Sequence, residues 1–259
     1  MLNKILNTNQ KIDKDLILKL ISFIDLTTLN DTDNNQTVLK LVEKANKGFK
    51  NTFPAAVCVF SNFGNLAKEN VSANINVAVV STCFPTGQTL TQAKLSEIEL
   101  VNNTKIDEVD VVINRGEFLA GNLDYITNEL VEIRKRLPNK HLKVILETGQ
   151  LKTEEDILVA SKLAMASGAD FIKTSTGKAK IGSTPEAVFV MCKEIKRFYI
   201  ETGKKIGIKP AGGIRTLEDA LTLYKIVNEV LGKDWLTPKL FRIGASSLYD
   251  NLIESYNKL

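Results

Sequence analysis

Short apolar runs of strand length recur along the chain at 23–28, 55–60, 76–81, 108–114, 142–149, 171–177, 205–213 and 241–247. Between them, apolar residues return at three- and four-residue spacing. Val38, Leu39, Val42 and Ala45 show this, as do Ile157, Leu158, Leu163 and Ala164, and Ala220, Leu221, Tyr224 and Val227. The runs predict strands and the spaced stretches predict amphipathic helices. An eightfold strand-then-helix alternation calls for a parallel sheet, and eight such units close a barrel. The expected fold class is therefore α/β, a (β/α)8 TIM barrel, with a doubly wound open sheet as the alternative. Residues 13–23 predict an extra N-terminal helix before the first strand, covering the barrel floor. No low-complexity linker or Pro/Gly-rich hinge divides the chain, so residues 1–259 read as a single domain.

Side chains alternate across a strand, so the apolar residues that face the helices identify the inward ones. Ile24 and Leu26 outward place Asp25 inward, and Val109, Val111 and Ile113 outward do the same for Asp110. By the same parity Lys143 and Glu147 point inward from the fifth run, Lys173 from the sixth, Lys209 from the seventh and Arg242 from the eighth. Three carboxylates and four basic groups thus share one lumen, and a single neutral lysine would balance them. A buried unpaired charge costs several kcal/mol, so such a cluster points to chemistry.

Composition adds exclusions more than it adds functions. The chain has 259 residues, 44% hydrophobic and 25% charged, with a net charge of +4. Its lysines are dispersed, which predicts a solvated surface and no nucleic-acid face. No apolar run reaches the ~20 residues of a membrane helix. The first residues, MLNKILNTNQKIDKD, lack the apolar core and cleavage site of an export signal. Cys58, Cys83 and Cys192 are too widely spaced for a disulfide framework or a metal-ligand pair, which suits a reducing cytoplasm. His141, the sole histidine, precedes a strand and is expected at the surface. That removes the commonest general base and any multi-histidine site, so no metal is expected. Cys58 is expected to face inward as a small core residue.

Two segments carry the candidate chemistry. In FIKTSTGK (171–178) a lysine sits mid-strand, followed by hydroxyls and a glycine toward the end where barrels of this kind hold their active sites. A nucleophilic lysine must be neutral, although its free pKa is near ~10.4. Desolvation and a neighbouring cation lower that value, and Lys209 on the adjacent strand is the natural neighbour, with Lys178 adding to the field. KPAGGIRT (209–216) and GASS (244–247) are glycine turns leading into helix starts, a combination that binds anions. They occupy the two loops that form the usual phosphate site of the fold.

DLTTLN (25–30), AAVCVF (55–60), EVDVV (108–112), LKVILETG (142–149), FIKTSTGK, KPAGG and GASS, in that order, resemble the deoxyribose-phosphate aldolase family from Asp25 to Ser247. The resemblance implies a cofactor-free class I aldolase that cleaves 2-deoxy-D-ribose 5-phosphate through a lysine Schiff base. It implies Lys173 as the Schiff-base lysine, with Asp110 and Lys209 as its acid/base partners. Gly177, Gly212, Gly213, Gly244, Ser246 and Ser247 would hold the phosphate, Arg215 would lie nearby, and Thr27 and Cys58 would line the substrate pocket. The implied partner is a phosphorylated sugar, with a homodimer as the expected assembly. Some relatives carry a longer tail whose terminal tyrosine is associated with proton transfer. Here Tyr256 falls inside an expected last helix. Two other readings stand beside this one. One is a Schiff-base aldolase or thiolase-like barrel acting on another phosphorylated sugar or ketone, and the other is a non-catalytic phosphosugar-binding barrel.

Overall fold

In the computed structural model, which describes residues 1–259, each apolar run corresponds to one strand, the fifth beginning one residue ahead of its run. The strands are Ile24–Thr27 (β1), Ala56–Phe60 (β2), Asn76–Ser81 (β3) and Glu108–Val112 (β4), then His141–Ile145 (β5), Phe171–Lys173 (β6), Gly207–Lys209 (β7) and Ile243–Ala245 (β8). Every neighbouring pair is parallel, and hydrogen-bonded neighbours run in order from β7 through β1 to β8. The ring closes between β7 and β8, where the N–H groups of Ile208, Arg242 and Gly244 donate to Leu240, Ile208 and Pro210 at 2.9–3.0 Å. The molecule is a (β/α)8 barrel, and the open-sheet alternative falls.

The helices are Leu2–Leu6 (α1), Lys14–Ser22 (α2), Asn35–Lys47 (α3), Gly64–Asn70 (α4), Thr91–Asn102 (α5) and Arg115–Leu119 (α6). They continue with Leu123–Arg136 (α7), Glu154–Ala166 (α8), Pro185–Thr202 (α9), Leu217–Leu231 (α10) and Leu248–Lys258 (α11). Local chemistry sets many of their starts. Reciprocal capping boxes open α3 (Asn34 with Thr37), α8 (Thr153 with Asp156) and α10 (Thr216 with Asp219). Thr184 caps α9 ahead of Pro185, and Gly203 ends it in a left-handed conformation. The predicted N-terminal helix is α2, which buries Leu16, Ile17, Leu20 and Ile21 and packs on α11. The short α1 was not predicted; only Ile5 of it is buried.

The apolar core lies between the strands and the helix ring, and it takes the residues that parity assigns outward. Ile24, Leu26, Val109, Val111, Leu142, Val144, Ile172, Ile208 and Ile243 are all fully buried there. The lumen is left to the polar members of each strand. One expectation needs correction: Lys173 is the last residue of β6 and not a mid-strand residue. After it, the Thr174 side chain donates to the carbonyl of Ala211 (3.1 Å) and accepts the Ala211 N–H (2.9 Å), which turns the chain out of the sheet. Lys209 likewise ends β7, directly opposite Lys173 in the register. Both lysines therefore stand at the mouth of the barrel.

Candidate active site

Asp110 is the hub of the lumen. Its Oδ2 accepts from Lys173 Nζ at 2.8 Å and from Lys209 Nζ at 2.7 Å, while its Oδ1 accepts from Lys143 Nζ at 2.9 Å. Below this level the ions pair more fully. Lys209 lies 2.5 Å from Asp25 and Lys143 lies 2.5 Å from Glu108. Arg242 binds Asp25 at 2.6 Å and Glu108 at 2.8 Å, and its Nε donates to the Pro238 carbonyl. Lys143 and Arg242 are thus members of one internal network.

Two carboxylates differ from the parity reading. Glu108 was absent from the inward set, yet it is fully buried and serves both Lys143 and Arg242. Its position two residues before Asp110 carried the signal, because residues i and i+2 share a face. Glu147 is buried but leaves the lysine cluster. β5 ends at Ile145, and a left-handed backbone (φ 57°) directs Glu147 to Arg115 and Thr176. The cluster therefore contains Asp25, Glu108 and Asp110 against Lys143, Lys173, Lys209 and Arg242, still one positive charge in excess.

Electrostatics decides where that excess resolves. Burial pushes the Lys173 ammonium down; Asp110 pulls it up, but Lys209 pushes it down again, and the net direction is downward. Burial acts on Lys209 too, but Asp110 and Asp25 outweigh it and raise its pKa. Lys143 is raised for the same kind of reason, by Asp110 and Glu108. Burial would raise the carboxyls, but the cations win: Asp25 and Asp110 lie well below their usual range, and Glu108 is lowered to about 2. Lys173 is the member that most readily gives up its proton. Lys178 stands at the mouth, 3.6 Å from Asp31.

Above Lys173 opens a cavity of about 540 Å3. Lys173 forms part of its base, and Thr27, Gly177, Gly212, Gly213, Arg215, Gly244, Ser246 and Ser247 line its wall. The backbone N–H groups of Gly177, Gly213, Ser246 and Ser247 find no acceptor within the chain, whereas that of Gly212 faces the Gly244 carbonyl in the bridge between the two loops. Unpaired backbone donors beside a helix start form a cradle for an anion, and α11 begins directly after Ser247. Gly244 is required by crowding: a Cβ there would come 2.9 Å from Ala211 Cβ and 3.2 Å from Lys209 Cε. Asn30 and Lys40, from the loop after β1 and from α3, also line the cavity and were not foreseen, since nothing in their local sequence distinguishes them from surface residues.

Cys58 does face inward but does not line the cavity. It is buried with Leu29, Ala78 and Val80, against Phe60 and Phe84, and burial pushes its thiol pKa up. Tyr256 lies away from the site, with its ring edge-on to Phe49 (5.1 Å) and the Lys14 ammonium over it (5.1 Å). His141 is exposed at the start of β5. No group of three or more His, Cys, Asp or Glu side chains is arranged to hold a metal ion. No helix is long and apolar enough to cross a membrane.

Comparison with known proteins bears on the family and the fold. The model of the DeoC/LacD family aldolase matches residues 19–249. The chain is 42% identical over 251 residues to the deoxyribose-phosphate aldolase of Homo sapiens, covering 91% of this chain and 79% of that one. Among solved structures, the aldolase QR15 superposes with a TM-score of 0.75 at 29% identity, over 92% of this chain and 96% of that one. A protein from Aeropyrum pernix, described as a tetrameric deoxyribose phosphate aldolase, shares the fold with a TM-score of 0.75 at 24% identity, over 99% and 96% of the two chains.

Proposed function

The chain belongs to the DeoC/LacD aldolase family, and from that premise we propose that Lys173 forms the Schiff base through which it cleaves 2-deoxy-D-ribose 5-phosphate. The products are acetaldehyde and D-glyceraldehyde 3-phosphate, and the reaction is reversible. One observation carries the assignment: two lysines share a single oxygen of Asp110, at 2.8 and 2.7 Å. Two ammonium groups on one carboxylate oxygen repel each other. The one with fewer counter-charges, Lys173, is the one that loses its proton and becomes a nucleophile.

The neutral amine attacks C1 of the open-chain aldehyde, and the carbinolamine loses water to give an iminium. The C3 hydroxyl then gives up its proton, the C2–C3 bond breaks, and the bonding pair flows into the iminium. Glyceraldehyde 3-phosphate leaves, and the enamine that remains takes a proton at C2. Water hydrolyses the resulting iminium, which releases acetaldehyde and restores the amine. Asp110 Oδ2 lies within reach of the Lys173 nitrogen and is the group best placed to move these protons, with Lys209 as its charged partner. The iminium supplies the electron sink, so the scheme needs no cofactor.

At the other end of the substrate, the free N–H groups of Gly177, Gly213, Ser246 and Ser247 receive the phosphate, with Gly212 and Arg215 beside them. Holding a remote phosphate supplies binding energy that orients the reacting end. Thr27 faces the sugar from the cavity wall. Cys58 stays a buried member of the apolar cluster with Leu29, Ala78 and Val80 and takes no direct part in this scheme. A homodimer in a reducing cytoplasm completes the proposal; sedimentation and cell fractionation test those two points.

Borohydride reduction in the presence of acetaldehyde is the direct test of the site. It should add a two-carbon adduct to the peptide bearing Lys173 and abolish activity. Adducts confined to surface lysines, with activity intact, would overturn the assignment.

A further inference from the structure

Of the carboxylates near the lumen, Glu147 alone takes no part in the lysine cluster. It is fully buried, two residues beyond the end of β5, in a left-handed conformation with φ 57° and ψ 55°. A residue other than glycine or asparagine rarely adopts that conformation, and where it does the surrounding contacts hold it there. Here the contacts are specific. Thr176 donates its hydroxyl to Glu147 Oε2 at 2.5 Å and its backbone N–H at 3.3 Å to each oxygen, while Arg115 Nη1 adds 3.1 Å. The second arm of Arg115 donates to the Thr86 carbonyl at 3.1 Å. One buried carboxylate thereby ties the loop after β6 to the loops after β3 and β4.

The turn beyond Thr176 shows what this clasp controls. The Thr176 hydroxyl accepts the backbone N–H of Lys178 at 3.1 Å, whereas the intervening N–H of Gly177, at the cavity wall, has no acceptor in the chain. One amide is turned inward and its neighbour is left for a ligand. The same stack leaves no slack on its other side. A Cβ on Gly149 would come 2.3 Å from the Ile181 carbonyl oxygen, and one on Gly182 would come 2.3 Å from the Gly212 carbonyl oxygen. The loops after β5, β6 and β7 are therefore packed directly on one another, with Glu147 beneath them.

We infer that Glu147 is a positioning residue for phosphate recognition, acting through Thr176 to fix the turn that presents the Gly177 N–H. This inference rests on the reading of the loops after β6, β7 and β8 as the phosphate site. Glu147 makes no hydrogen bond or ion pair with Lys173, Asp110 or Lys209, so its influence falls on substrate binding and leaves carbon–carbon cleavage to the lysine cluster. Its partners are all donors. A glutamine in its place would turn an amide N–H toward Thr176 or Arg115, and the clasp would open.

The test compares Glu147→Gln, Thr176→Val, the double variant and Ser246→Asp, on phosphorylated and unphosphorylated 2-deoxyribose and with inorganic phosphate as inhibitor. Glu147→Gln should raise KM for the phosphorylated sugar, and the inhibition constant of phosphate, by about tenfold while kcat moves less than about threefold. Thr176→Val should do the same, and the double variant should be no worse than either single one. An equal loss on both sugars, or effects that multiply in the double variant, would overturn the inference. If Glu147→Gln does not fold, Thr176→Ser should keep the preference for phosphate that Thr176→Val loses, and identical behaviour of the two would count against it. Ser246→Asp separates the two levels. If it abolishes the preference and Glu147→Gln does not, the inference alone fails; if both leave the preference intact, the phosphate reading fails with it.

Discussion

The lower and upper halves of the lumen contain the same kinds of side chain and differ in how charge is shared. In the lower half, Lys143 meets Glu108 at 2.5 Å, Asp110 at 2.9 Å and Asp25 at 3.7 Å, and Arg242 bridges Asp25 and Glu108. In the upper half, Lys173 has Asp110 alone, through an oxygen that Lys209 also holds. Both lysines are buried, on adjacent strands, and yet the pKa of Lys143 is raised while that of Lys173 is lowered. Burial by itself does not make a lysine reactive. A deficit of counter-charge at one end of an otherwise paired network does, because the desolvation cost is then not fully offset.

The contrast can be broken most forcefully from below. Arg242→Met should cost about 3–5 kcal/mol of unfolding free energy at neutral pH, since it leaves Asp25 and Glu108 short of a partner in the interior. The pH dependence follows from the lowered carboxyls. With Glu108 brought from 4.5 to about 2, its contribution is complete above about pH 4.5 and is lost as the pH falls toward 2. Arg242→Met raises that pKa, so acid unfolding should begin at higher pH. Urea titrations across the acid range measure both effects, and an unchanged midpoint would mean the floor pairs contribute nothing.

Next in size, Lys209→Leu removes the cation that disfavours a proton on Lys173 and leaves Asp110 to favour it. The acid limb of the pH–rate profile should move upward, and the rate at neutral pH should drop about 100-fold, or ~2.7 kcal/mol. A profile scaled down without displacement would show that Lys209 moves protons without tuning Lys173.

Lys143→Met tests the charge count itself. Three carboxylates would then face three bases, so Lys173 should become the obligatory cation. Its profile should shift upward by about one pH unit, a roughly tenfold loss at neutral pH. A Lys143 variant with an unmoved acid limb would confine the tuning to the upper half. The smallest expected effect is none: prolonged EDTA treatment should leave activity intact, because the iminium holds the developing carbanion charge. Loss on chelation that zinc restores would overturn the scheme.

The alternation of strand and helix patterns, and the period-2 placement of Asp25, Asp110, Lys143, Lys173, Lys209 and Arg242, were legible in the sequence, because both depend on residues close together along the chain. The same periodicity marks Glu108, two residues before Asp110 and the first residue of its strand. The glycine turns after β7 and β8 were legible too, since a chain that must approach an anion through its backbone needs residues without side chains there. Parity could not say where a strand ends. Lys173 proved to be terminal in β6, where the Thr174 side chain binds the Ala211 backbone, and Glu147 left the lysine cluster because β5 ends at Ile145 and a left-handed backbone directs it to Thr176 and Arg115. Nor could it pair the charges. Which carboxylate faces which lysine across the lumen depends on barrel closure, strand register and distances between residues as far apart as Asp25 and Arg242. Local pattern determined the inventory of inward groups, and only the closed barrel decided that Lys173 would be the one left short of a counter-charge, because Coulomb energy follows separation in space and not separation in sequence.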